Sequence, residues 1–103
     1  MTFHPLVPLA VLSDGYRQVF TIDGTDYLLL QHEGQRYLLE NDCPHAAYPL
    51  QGGQIAQGGL RCPMHGYVFS LQTGECTYYT EGPCRALKRI DLVVQDEQLG
   101  IML

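Results

Sequence analysis

An all-β, antiparallel fold is predicted for this chain by three observations. Its apolar residues come in short runs, strong turn pairs separate several of those runs, and no stretch carries the repeating apolar stripe of a helix. A chain of 103 residues is expected to form one domain, residues 1–103, with a modest core that a cofactor would help to staple.

The elements follow in order. A first strand is expected near Leu6 to Val11. Val19-Phe20-Thr21-Ile22 runs into Asp23-Gly24, a strong hairpin pair, and Tyr27-Leu28-Leu29-Leu30-Gln31 resumes beyond it. A second turn at His32-Glu33-Gly34-Gln35 leads into Tyr37-Leu38-Leu39-Glu40, so three strands form a meander. From Asn41 to Phe69 the texture changes: Pro and Gly become dense and the apolar runs shrink, which predicts a loop-rich insert that needs something else to hold it. Tyr67 to Ser70 and Cys76 to Tyr79, around Gln72-Thr73-Gly74, read as a hairpin. Arg85 to Val94 and Gln98 to Leu103 read as a closing hairpin around Gln95-Asp96-Glu97.

Composition narrows the function. A formal net charge of −5 argues against nucleic-acid binding, which wants a basic surface. The basic residues Arg85, Lys88 and Arg89 cluster, and are read as a solvated strand face. Met1 to Leu12 is apolar but far shorter than the roughly 20 residues of a membrane span, and it lacks the basic start of a secretory signal. The expectation is a cytoplasmic protein without a membrane anchor.

The insert carries the chemistry. Cys43-Pro44-His45 and Cys62-Pro63-Met64-His65-Gly66 each offer one thiolate and one imidazole, in the same order, with Pro stiffening the backbone after each Cys. Four such ligands on two loops indicate a metal centre. Zinc is the rival, but zinc modules usually pair Cys with Cys and His with His at short spacing. Alternation within both loops suits a two-iron centre held by Cys₂ on one iron and His₂ on the other. Cys43 and Cys62 would then take one iron, His45 and His65 the exposed one. His4 and His32 read as ordinary polar residues. Cys76 and Cys84 read as small core residues, the expected reducing compartment arguing against a disulfide between them.

These residues resemble the Rieske pattern: Cys-x-His, a gap of sixteen residues, then Cys-x-x-His. Pro49-Leu50, Gly52-Gly53, His65-Gly66-Tyr67-Val68-Phe69 and Thr73-Gly74 agree with it, as do the closing strands from about Gly82. The resemblance implies an antiparallel, β-sandwich-like Rieske fold, with a cluster-binding subdomain at about 41–69 and one [2Fe–2S] cluster. It also implies an electron-transfer component rather than an enzyme, since four protein ligands leave no open site on iron. The leading expectation is a ferredoxin passing electrons from a flavin reductase to a terminal oxygenase. A small Rieske-like subunit of a larger oxidoreductase, such as NAD(P)H nitrite reductase, is the alternative, and a zinc-stabilised interaction module a third reading.

Departures from the respiratory members of the family sharpen this. Those members carry a further Cys in each loop, joined as a disulfide, where this chain has Tyr48 and Met64. They also donate hydroxyl hydrogen bonds from Ser and Tyr, where this chain has Tyr67 and Phe69. Fewer donors to the cluster lower its potential, so the low end of the Rieske range, roughly −150 mV, is expected. Ala46, Tyr48, Pro49, Met64 and Tyr67 are expected to form an apolar collar around the site.

Overall fold

The computed structural model describes residues 1–44, 48–64 and 66–103. Among the described residues ten strands form three antiparallel sheets, and the sole helical element is a single 3-10 turn. None of the described helices is long and apolar enough to cross a membrane.

The predicted meander is the middle layer. Strands β2 (Arg17–Ile22), β3 (Thr25–His32) and β4 (Gln35–Glu40) pair in order, with Ile22 opposite Thr25 and His32 opposite Gln35. Two-residue turns join them, and Asp23, Gly24, Glu33 and Gly34 all have positive φ. That is the left-handed geometry whose twist matches the flanking strands. Leu28, Leu29 and Leu30 are all fully buried. A half-exposed strand would alternate; an unbroken run means that both faces of this sheet are covered.

What covers each face divides the interior in two. Leu28, Leu30 and Leu39 pack with Cys43, Leu50, Leu60, Cys62, Tyr67, Phe69, Leu71 and Leu87. Tyr27, Leu29 and Leu38 pack with Val7, Leu99 and Ile101. The second group belongs to the sheet of β1 (Phe3–Pro8), β9 (Val93–Gln95) and β10 (Gln98–Met102), ordered β1-β10-β9.

The first strand therefore lies earlier than Leu6 to Val11: Leu9–Val11 forms the 3-10 turn, closed by the Leu12 N–H on the Leu9 carbonyl at 3.1 Å. Pro5 is tolerated in β1 because this is an edge strand, and the register shifts between Pro5 and Val7. The closing hairpin is also shorter than expected. Residues 85–92 run irregularly beside β4, with Glu40 N–H donating to the Lys88 carbonyl at 2.7 Å and Ile90 N–H to Leu38 at 3.1 Å.

The insert is more ordered than its composition suggested. Strands β5 (Gln54–Ala56), β6 (Gly59–Arg61), β7 (Val68–Ser70) and β8 (Cys76–Tyr78) form the third sheet, in that order. Gln57 and Gly58, both at positive φ, make the turn between β5 and β6. Leu50, Leu60 and Tyr67 are fully buried, so the insert shares the core on one face of the meander.

Candidate metal centre

Each Cys-containing loop is closed in the same way. Cys43 N–H donates to the Tyr48 carbonyl at 2.9 Å, and Cys62 N–H donates to the Tyr67 carbonyl at 2.7 Å. In both, a Cys bonds the residue five positions on, with Pro immediately after the Cys. The second loop is tightened further by Gly66 N–H on the Cys62 carbonyl at 3.1 Å, with Gly66 at φ 72°, a conformation that suits glycine.

Fixed elements anchor both loops. Asp42 and Pro49 form an isolated antiparallel bridge across the first, while the second connects β6 to β7. Arg17 on β2 donates to the carbonyls of Gln51 at 2.8 Å and Gly53 at 2.6 Å, tying the chain after the first loop to the meander. One guanidinium nitrogen carries two hydrogens, enough to serve both carbonyls.

Cys43 and Cys62 are both buried, 0% and 1% exposed, and they belong to one packed cluster. None of the four cysteines forms a disulfide, and all four are among the described residues. The other two ligand candidates, His45 and His65, lie outside the described residues, as do Ala46 and Ala47. Among the described residues no group of three or more His, Cys, Asp or Glu is placed to hold a metal ion. The described half of the site is therefore two converging thiol loops, a soft donor pair that suits iron–sulfur or zinc chemistry.

The proposed collar divides. Tyr48 and Met64 are exposed apolar residues, and Pro49 is exposed beside Tyr48. Tyr67 is instead fully buried. Its hydroxyl donates to the Gly82 carbonyl at 2.6 Å and accepts the Glu81 N–H at 3.3 Å, and its ring meets that of Tyr79 at 6.5 Å. Nothing in the sequence pattern flagged this role, because Tyr67 meets partners 14 and 15 residues away. Phe69 is buried as well. An open groove beside the second loop is lined by Arg61, Cys62, Pro63, Met64, Tyr78 and Glu81 among others.

Cys76 and Cys84 pack against the same core cluster as Cys43 and Cys62. Burial, and then the hydrogen-bonded Cys76 thiol, push the Cys84 thiol up to about 11. Arg85 is exposed, as expected of a solvated residue, but it is also paired: its guanidinium grips both oxygens of Glu40, at 2.7 and 2.8 Å, and the Lys88 N–H adds a third bond to that carboxylate at 3.0 Å.

The Rieske [2Fe-2S] domain family matches residues 2–90 of the chain. The chain belongs to that family, whose name carries the cluster that its members are built around. The fold agrees: the ferredoxin of carbazole 1,9a-dioxygenase from Nocardioides aromaticivorans IC177 superposes with a TM-score of 0.83 at 23% identity, covering 98% of this chain and 97% of that one. The ferredoxin component of the alkene monooxygenase system of Xanthobacter autotrophicus is 34% identical over 65 residues, 62% of this chain and 53% of that protein. Apoptosis-inducing factor 3 of Homo sapiens is 33% identical over 64 residues, also 62% of this chain but 11% of that protein. The aligned stretch thus spans about half of one curated relative and a small part of the other.

Proposed function

We propose that this chain is a cytoplasmic Rieske-type ferredoxin, a one-electron carrier rather than an enzyme, formed by one domain over residues 1–103. In this reading Cys43, His45, Cys62 and His65 hold one [2Fe–2S] cluster, the two cysteines on one iron and the two histidines on the other. The carrying observation is the pair of identically closed loops that bury Cys43 and Cys62 in one core cluster. When bound, such a cluster accepts and releases one electron at a time.

The chain's own residues do the rest. Leu50, Leu60 and Phe69 keep water from the cysteine side. Tyr48 and Met64 present an apolar surface at the loops, where a partner can approach without displacing ionic groups. Tyr67 has a single hydroxyl proton and gives it to Gly82, and Phe69 has none, which supports a potential near the low end of the Rieske range, roughly −150 mV. Likeness to ferredoxins of two oxygenase systems supports a terminal oxygenase as acceptor, and a flavin-dependent reductase as donor is what the family resemblance implies. Reduced cysteines suit a cytoplasmic setting.

Iron and acid-labile sulfide analysis with a visible spectrum tests the reading. The expected result is two irons and two sulfides per chain with iron–sulfur absorption, plus reductase-dependent transfer to cytochrome c. Bound zinc with a colourless protein would overturn it. Stable co-purification inside a larger oxidoreductase would replace the carrier role by that of a subunit.

A further inference from the structure

We propose that Arg61 raises the reduction potential of the site, through a guanidinium charge held against the second thiol loop. The inference rests on the cluster assignment proposed above.

Arg61 ends β6 and directly precedes Cys62. Across the sheet it pairs with Val68, which pairs in turn with Tyr78. The residue is exposed, yet its charged end lies against the loop. A Cβ at position 66 would stand 3.3 Å from a terminal guanidinium nitrogen and 3.5 Å from Nε. The guanidinium thus fills the space that a side chain at 66 would need. Glycine is required there twice, by its φ of 72° and by this neighbour. One cation therefore meets the loop at both ends, along the chain at Cys62 and through space at Gly66.

Arg85 is matched by Glu40, whereas among the described residues no ion pair engages Arg61. Arg61 shares its groove with the exposed Met64 and Tyr78, and Glu81 is the groove's other charged residue. Reducing the site adds one negative charge beside this cation. Coulomb attraction then favours the reduced state, and the midpoint rises. Here the cation works against the shortage of hydroxyl donors. Such an effect follows the sign of the charge and fades with salt, since screening shortens from about 30 Å at 0.01 M to about 3 Å at 1 M. A packing effect does neither.

The test is redox titration of the full chain at about 0.01 M and about 1 M salt. Iron and sulfide are counted on every sample. At low salt Arg61→Gln should lower the midpoint, and Arg61→Glu should lower it by about one further equal step. Arg61→Lys should keep most of the unsubstituted value, and at high salt the series should converge. Arg36→Gln removes the same charge where β4 begins beside its turn, while the first loop leaves the other end of that strand, so its midpoint should not move. Equal midpoints across the Arg61 series in loaded protein would overturn this inference alone. So would a shift that persists at high salt, a shift that Lys fails to rescue, or an equal shift in Arg36→Gln. The Lys and Glu variants decide if the Gln variant fails to fold. A zinc-loaded, colourless unsubstituted protein would overturn the cluster assignment and this inference with it.

Discussion

Tyr67 shows how one hydroxyl can serve the architecture, because it joins β7's approach to the chain at Glu81 and Gly82. Its proton is donated to the Gly82 carbonyl, so removing it should cost fold stability. Tyr67→Phe is expected to lose about 1 kcal/mol in a urea titration, while its midpoint potential stays that of the unsubstituted protein. A large downward shift of potential would show that the hydroxyl reaches the cluster instead. Glu40 is the second decisive residue. Hydrogen bonding from Arg85 outweighs burial and holds the carboxyl below its usual value of 4.5. A carboxyl whose folded value is lowered stabilises the fold fully above the unfolded value, and that contribution is lost as pH falls through the folded one. Stability should therefore hold from pH 6 to the mid fours and fall as the pH drops below them, and Glu40→Gln should flatten that fall. At neutral pH the same substitution should cost about 2 kcal/mol, because it weakens three hydrogen bonds to a nearly buried charge.

Among the elements, the hairpins were the part most legible in the sequence. Asp23-Gly24 and Glu33-Gly34 announced the meander, and it pairs in the register those turns impose. Gln57-Gly58 sends a weaker signal between strands of only three residues, so the hairpin inside the insert was hidden. The Cys and His pattern marked the two loops proposed here to hold the metal. It could not show that a guanidinium from β2 secures the chain beyond the first of them, because Arg17 is 34 and 36 residues from its acceptors. Arg17→Ala should destabilise the protein by about 2 kcal/mol and hasten bleaching of the visible bands. Unchanged bleaching would detach this clamp from the site. The turn Asp96-Glu97 is the opposite case, a local sequence ill-suited to its geometry. Both residues sit at positive φ, 49° and 62°, a region that Asp96 tolerates but where Glu97 is strained. Replacing the pair by Asn-Gly should stabilise the fold by about 1 kcal/mol, read from the shift in the denaturation midpoint.

At the level of the whole molecule, the meander separates two interiors with different tasks. One contains Cys43 and Cys62, and the other joins the meander to β1 and β10. The unbroken Leu28-Leu29-Leu30 run is the trace of this arrangement in the sequence, although it was read there only as a strand. Comparable truncations should separate the two tasks. Leu60→Ala and Leu99→Ala each remove a fully buried side chain and should each cost roughly 2–5 kcal/mol. Only Leu60→Ala should also shorten the lifetime of the visible absorption at matched stability. Equal bleaching in both would mean that the two interiors act as one.

The second interior also holds the pairing of β1 with β10, sealed by Thr2 and Leu103 exchanging backbone hydrogen bonds at 2.6 and 3.0 Å. Where the polypeptide enters and leaves, the two strands thus lie side by side, on the face of the meander opposite the thiol loops. Topologically this is a plug-in unit: it can be spliced into a surface loop of another protein through one narrow seam. The same seam permits rewiring. Joining residue 103 to residue 1 through a short flexible linker and reopening the chain between Glu33 and Gly34 should leave both interiors and both loops in place.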